Sequence, residues 1–270
     1  MTRRNSNNFF RTIFTAAVVC GIGIGAYLLV KGRVTGDPAA IGNNNPGQVF
    51  NIGGAEDPEQ FNQRYRDVCG EIYSIADAYK TQYNTTRDKL EIKNIVIKSK
   101  QLFASSIAKK IIPFWVGTKV SKKGYTLNPR QGSIGSREFV LGVLADAGLK
   151  IKPKKWLRFN EANIIGNLVT SKNNRKIYPN GNLSSIVSFL RKHDTGLYLL
   201  YANTGEFGFI HFENETFNFV YAKKGAVVVC EPLNESAVFA RNKKFFIGKL
   251  SGDSKLVGDW VLNRTVLKNH

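Results

Sequence analysis

An α+β fold behind one membrane-spanning helix is what the sequence predicts. Three observations carry that expectation: an uncharged run over residues 12–30, helical periodicity over 57–192, and five strand-like runs after Gly196. Helices first and consecutive strands afterwards is the pattern of an α+β chain with an antiparallel sheet. With 270 residues, 43% hydrophobic and 11% aromatic, the chain can bury one good-sized core, which argues against disorder as its main state.

The run over 12–30 is 19 residues long. At about 1.5 Å per residue such a helix nearly spans a bilayer core of roughly 30 Å. Arg3, Arg4 and Arg11 precede it, against Lys31 and Arg33 after it, so the amino terminus is expected to stay cytoplasmic. The chain then reads as a single-pass inner-membrane protein with a periplasmic or otherwise extracytoplasmic carboxy-terminal domain. The run is longer than a signal-peptide core, and Lys31-Gly-Arg33 stands where a cleavage site would lie, so an uncleaved anchor is expected. Val19 before Cys20 is too bulky for a lipidation site. Gly21 and Gly25 have the spacing of closely packed membrane helices, a weak signal.

Residues 36–56 are rich in Gly, Asn and Pro and read as a flexible linker behind the stub and anchor of 1–35. Asp57-Pro58-Glu59 opens a helix, with Pro at the first helical position. Phe61, Tyr65, Val68, Ile72, Ile75 and Tyr79 give it one apolar face. A second helix is expected over 88–110, so 57–110 reads as a helical pair and 111–270 as the α+β domain. The stretch 111–132 is irregular, aromatic and turn-rich. Phe139, Val140, Val143, Leu144 and Ala147 then mark an amphipathic helix stopped by Gly148. Further helices are expected over 160–168 and 183–192, and strands over 197–202, 207–212, 217–221, 226–230 and 245–250.

The segment 135–148 (Gly-Ser-Arg-Glu-Phe-Val-Leu-Gly-Val-Leu-Ala-Asp-Ala-Gly) resembles the active-site helix of NlpC-type, papain-like cell-wall peptidases. There a cysteine opens the helix, followed by Phe-Val and a Val-Leu-x-x-Ala-Gly ending. Residues 114–118 (Phe-Trp-Val-Gly-Thr) are similar to the aromatic-Gly stretch before the nucleophile. Residues 206–210 (Glu-Phe-Gly-Phe-Ile) are similar to the strand that normally begins with the catalytic histidine. The resemblance covers roughly 111–250 and implies a papain-like domain of helices packed on an antiparallel sheet. It also implies that each catalytic place is changed: Ser136 for the cysteine, Glu206 for the histidine, and Tyr221 for the orienting residue.

Chemistry makes those changes costly. A cysteine at a helix amino terminus is activated because the dipole and a nearby imidazole lower its pKa. A serine hydroxyl needs a base instead, and a carboxylate with an ordinary pKa of about 4.3 is a poor one. The bland reading of Ser136 is a helix N-cap; for Glu206 it is an exposed carboxylate in the turn after Asn203, weighed evenly against a buried role. His193 and His270 offer no obvious rescue, and His211, five positions beyond Glu206, should face the other side of its strand. The resemblance therefore implies a non-catalytic envelope binding or scaffold protein contacting peptidoglycan fragments or an envelope protein. The alternatives are a hydrolase using Ser136 and Glu206, and an anionic-surface binder. Ligand contact is assigned to Trp115, Tyr125 and Arg137, although an aromatic run such as Phe114-Trp115 is more often core.

The charge is +19; the five basic residues beside the apolar run leave 34 basic against 20 acidic residues elsewhere. That field attracts acidic polymers or lipid head groups, although a solvated basic surface with no particular partner is the favoured reading. Nucleic acid is disfavoured because the basic residues come as scattered doublets without a reader motif. No metal-ligand spacing or dinucleotide or phosphate-loop glycine pattern occurs in the soluble region, so neither metal nor cofactor is expected. Ser106 and Lys109 fit Ser-x-x-Lys on what reads as a solvated helix face. Of three cysteines, Cys69 and Cys230 read as buried free thiols, with a bridge between them as the lesser alternative.

Overall fold

The computed structural model describes residues 57–266. The stub and anchor assigned to 1–35, the linker of 36–56 and His270 lie outside the described residues. Among those described, no helix is long and apolar enough to cross a membrane.

Helix α1 (Pro58–Thr85) begins as its sequence requires: the Asp57 carboxylate accepts the Glu59 amide at 3.1 Å and Pro58 occupies the first turn. Phe61, Tyr65, Ile72 and Ala76 form its buried stripe. Asp88 caps α2 (Lys89–Ser105) by accepting from the Leu90 and Glu91 amides. The helix expected to reach residue 110 instead widens into a π-helical turn, Ser106–Ile111, followed by α3 (Ile112–Trp115). Pro113 supplies the reason: it lacks an N–H, and its ring crowds the carbonyl four residues back. Winding the preceding turn wider, with the Ile112 amide on the Ile107 carbonyl, relieves both.

A short strand pair, β1 (Lys119–Val120) and β2 (Ser133–Ile134), leads into α4 (Ser136–Asp146). After α5 (Pro153–Trp156) and α6 (Glu161–Leu168) come β3 (Arg175–Tyr178), α7 (Leu183–Lys192), β4 (Gly196–Ala202), β5 (Phe207–Glu213), β6 (Thr216–Ala222), β7 (Val228–Pro232), α8 (Val238–Arg241), β8 (Phe245–Lys249) and α9 (Ser254–Val261). Six strands form one antiparallel sheet in the order β3-β8-β4-β5-β6-β7. The chain is thus an α+β fold.

Period-2 alternation divides that sheet into two faces. Leu197, Leu199, Phe207, Phe209, Val220 and Ala222 point to the side packed by α1–α4, α6 and α9. Tyr198, Leu200, Ile210, Phe212, Phe219 and Tyr221 point to the other, covered by α7 and α8. Gly208 lets β5 and β6 approach: a Cβ there would lie 2.1 Å from the Val220 carbonyl oxygen. The helical pair α1–α2 shares the first core, since Tyr65, Ile72 and Phe103 are buried with Phe139, Leu144 and Trp260.

Several expectations are corrected. The strand expected over 226–230 lies two residues later, because Gly225 (φ +73°) and Ala226 still belong to the turn after β6. Strand β3 and helix α9 fall outside the expected elements. Cys69 and Cys230 are free, but only Cys69 is partly covered; Cys230 is exposed because β7 is the edge strand. Ser106, expected on a solvated face, is 1% exposed inside the π-helical turn.

Candidate functional site

The head of α4 is built by the loop that precedes it. Gly124 lies close against Ser133 and Ile134, its carbonyl accepts the Gly135 amide at 3.0 Å, and the Ser121 and Ser133 hydroxyls meet at 2.9 Å. Gly135, not Ser136, is the N-cap, with extended backbone (ψ 167°) and no side-chain cap bond. The Glu138 carboxylate folds back over Gly135, to within 2.2 Å of where a Cβ would sit, so that place is closed to a capping side chain. Ser136 is therefore the first helical residue. It is half-buried, and its hydroxyl makes no hydrogen bond among the described residues.

Phe139, Val140, Leu141, Val143 and Leu144 bury the body of α4, and Phe139 meets Phe209 of β5 edge-to-face at 5.7 Å. On this helix-facing side the head of β5 presents Phe207, fully buried. Beside it, Tyr201 packs its ring against Phe207 and Phe246, and its pKa is raised by burial, then by the Glu161 and Glu206 carboxylates. An aromatic ring and a phenol thus occupy the helix-facing side at the strand heads.

Glu206 lies on the opposite face. It immediately precedes Phe207 and pairs through its carbonyl with the Ala202 amide, so it shares the side of Ala202 and Gly208, away from α4. Its side chain is 11% exposed, accepts the Thr204 hydroxyl and lies 3.6 Å from the Arg241 guanidinium of α8. Tyr221 points the same way; its hydroxyl donates to Glu231 at 3.1 Å, and burial followed by that carboxylate pushes its pKa to about 12. Glu206 and Tyr221 are brought to one face and Ser136 is left on the other. The Ser136–Glu206 pair that a hydrolase would need is not formed.

The ligand contacts assigned from sequence divide. Trp115 is 1% exposed and donates from Nε1 to the Tyr65 hydroxyl at 2.8 Å, so it is core rather than a contact surface. Arg137 donates to the Leu157 and Phe159 carbonyls at 3.2 and 3.1 Å and lies 3.7 Å from Glu161, fastening the α5–α6 segment to the head of α4. Tyr125 is exposed on the loop before that helix, beside exposed Leu127.

Neither described histidine touches Ser136. His211 is on the α4 side of β5, with Nε2 4.0 Å from Glu213, which pairs with Lys109 at 2.7 Å. Burial, with a smaller contribution from Lys109, lowers its pKa. His193 stacks on Phe189 at 4.2 Å. At the foot of α4, the Tyr65 hydroxyl donates to the largely buried Asp146 carboxyl, whose pKa burial raises to about 6, and nearby Cys69 is pushed up to about 12 by burial and then by Asp146. This Tyr65–Trp115–Asp146 network joins α1, α3 and α4; spacing alone carried no signal for it. Among the described residues no group of three or more His, Cys, Asp or Glu side chains converges as a metal site.

Comparison with protein-family models, with curated proteins and with solved structures finds no match to this chain.

Proposed function

We propose that the chain is a non-catalytic, NlpC-type papain-like domain, held at the inner membrane by residues 12–30 and working outside the cytoplasm as a binding or scaffold protein. Its partner in this reading is a peptidoglycan fragment or an envelope protein. One observation carries the non-catalytic part: the Ser136 hydroxyl at the head of α4 has no hydrogen-bond partner among the described residues, and Glu206 stands across the sheet, ion-paired with Arg241. A serine without a base remains protonated and a weak nucleophile. The motif order around Ser136, on a helix packed against an antiparallel sheet, supports the family reading.

The test is a pair of measurements on the full chain in detergent. Purified muropeptides should remain uncleaved, while insoluble peptidoglycan should sediment the protein. Hydrolysis that disappears in Ser136→Ala overturns the non-catalytic reading, and failure to sediment removes the peptidoglycan partner.

A second reading has its own observation. The outward face of α2 carries Lys89, Lys93 and Lys98 with exposed Leu90 and Ile97, a basic and partly apolar surface suited to an anionic bilayer. Co-sedimentation with phosphatidylglycerol vesicles that declines steeply from low to high salt supports it; salt-insensitive or absent association counts against it.

A further inference from the structure

The sheet has one edge whose chemistry neither reading uses. Strand β3 is terminal in the strand order, pairing only with β8. Its Ile177 is 56% exposed. Alternation sends Arg175 and Ile177 to the α6 side and Lys176 and Tyr178 to the other. Between β3 and α6 runs a groove of about 620 Å³ lined by Asn163, Gly166, Thr170 and Arg175.

Arg175 makes this edge unusual. It is half-buried, and Nη1 donates to the Gly166 carbonyl at 2.7 Å, which fixes the guanidinium at the groove wall. No carboxylate among the described residues pairs with it. The Gly166 carbonyl, in the last turn of α6, offers the guanidinium charge only a partial negative counterpart; a carboxylate would pair with its remaining N–H donors more strongly. Basic residues predominate around it: no Asp or Glu occurs over residues 162–193 or 236–252, which hold Lys172, Lys176, Lys243 and Lys244. The Asp253 carboxylate that meets Thr170 is 2% exposed and taken up by the Thr170, Ser171 and Leu256 amides, and Glu161 lies 3.7 Å from Arg137. Lysines on an edge strand ordinarily deter pairing; here they stand beside an exposed isoleucine and an arginine with no carboxylate partner among the described residues, which makes the edge selective rather than closed.

We propose that β3 binds an extended peptide segment carrying two adjacent carboxylates, added antiparallel as a seventh strand, with one carboxylate on Arg175 in the groove. Edge addition takes affinity from backbone hydrogen bonds and specificity from alternate side chains. Cross-strand pairing sets the order: apolar residues opposite Tyr178 and Ile177, then an acid opposite Lys176 and an acid opposite Arg175. This site is separate from the head of α4, and its outcome does not depend on the reading proposed above.

The experiment uses the full chain in detergent and a fluorescein-labelled, carboxy-amidated Gly-Val-Val-Glu-Glu-Gly, read by fluorescence anisotropy. Gly-Val-Glu-Val-Glu-Gly, of identical composition and charge, should bind at least tenfold more weakly. Lys176→Glu, a change at an exposed position, should weaken the first peptide at least tenfold, and Gly-Val-Val-Lys-Glu-Gly should recover the loss. Amides of residues 175–178 should gain hydrogen-exchange protection with the first peptide. Equal affinity for the two isomeric peptides, indifference to Lys176→Glu, or no binding at millimolar peptide each overturns the proposal.

Discussion

Replacing Asp146 by asparagine should make the protein more stable at pH 8 and leave it nearly unchanged at pH 4. The carboxyl is largely buried at the end of α4, and its midpoint is raised from 3.8 to about 6. Because the folded-state value is the higher one, the fold favours the protonated acid. That contribution is fully present below pH 3.8 and is lost as pH rises through 6. At about 1.36 kcal/mol per tenfold change in proton affinity, the loss is about 3 kcal/mol. In Asp146→Asn the side-chain amide oxygen can accept the Tyr65 hydroxyl as the acid does, without a charge to desolvate. The substitution should therefore gain up to about 3 kcal/mol at pH 8, or roughly 6–10 °C in Tm for a domain of this size. Urea unfolding of both proteins, followed by tryptophan fluorescence at several pH values, gives the difference directly. A difference that stays flat with pH, or turns against the variant as pH rises, refutes the argument.

Three other outcomes follow from the packing. Asp253→Ala should cost about 2–4 kcal/mol by urea unfolding, because this 2%-exposed carboxylate caps α9 through the Leu256 amide and accepts from the Thr170 and Ser171 amides. Gly208→Ala should cost about 3 kcal/mol or more in the same assay, since the added methyl must push β6 from β5. Ser136→Ala should change stability by less than about 0.5 kcal/mol, because the hydroxyl has no partner to lose among the described residues; a larger drop would reveal a bond at the head of α4.

Much of the architecture was legible because short-range chemistry wrote it. Asp57, Asp88, Asn160 and Asn182 each cap the helix that follows, and the apolar spacing behind each agrees with its buried stripe. Helix α9 carried the same signals, with Asp253 as cap and Leu256, Val257, Trp260 and Val261 inward, but Gly258 interrupts a short segment lying directly after a strand. Strand β3 is only Arg-Lys-Ile-Tyr, with too little apolar content to announce itself before its pairing with β8 is known.

The site was less legible for a specific reason. Side chains on a strand alternate, so a one-residue difference in register moves a residue to the other face. Whether Glu206 or Phe207 meets α4 is decided by the Ala202–Glu206 turn and the pairing of Tyr201 with Phe207, which local pattern does not encode. Trp115 was ambiguous in the same way: a tryptophan in a turn-rich stretch can be a platform or an anchor, and Tyr65, fifty residues earlier, makes it an anchor.

The widened turn at Ser106–Ile111 has a mechanical consequence. It accommodates one residue more than an α-helical turn, so the chain leaves it with its azimuth advanced, and neighbouring side chains can reach to different walls. Lys109 meets Glu213 on the sheet, while Lys110 meets Glu71 on α1 at 2.6 Å. A single-residue deletion within 106–111 would reset that phase and misalign these two tethers together with Trp115 below them, so this short coil sets the angular registration between the long amino-terminal hairpin and the strands it covers.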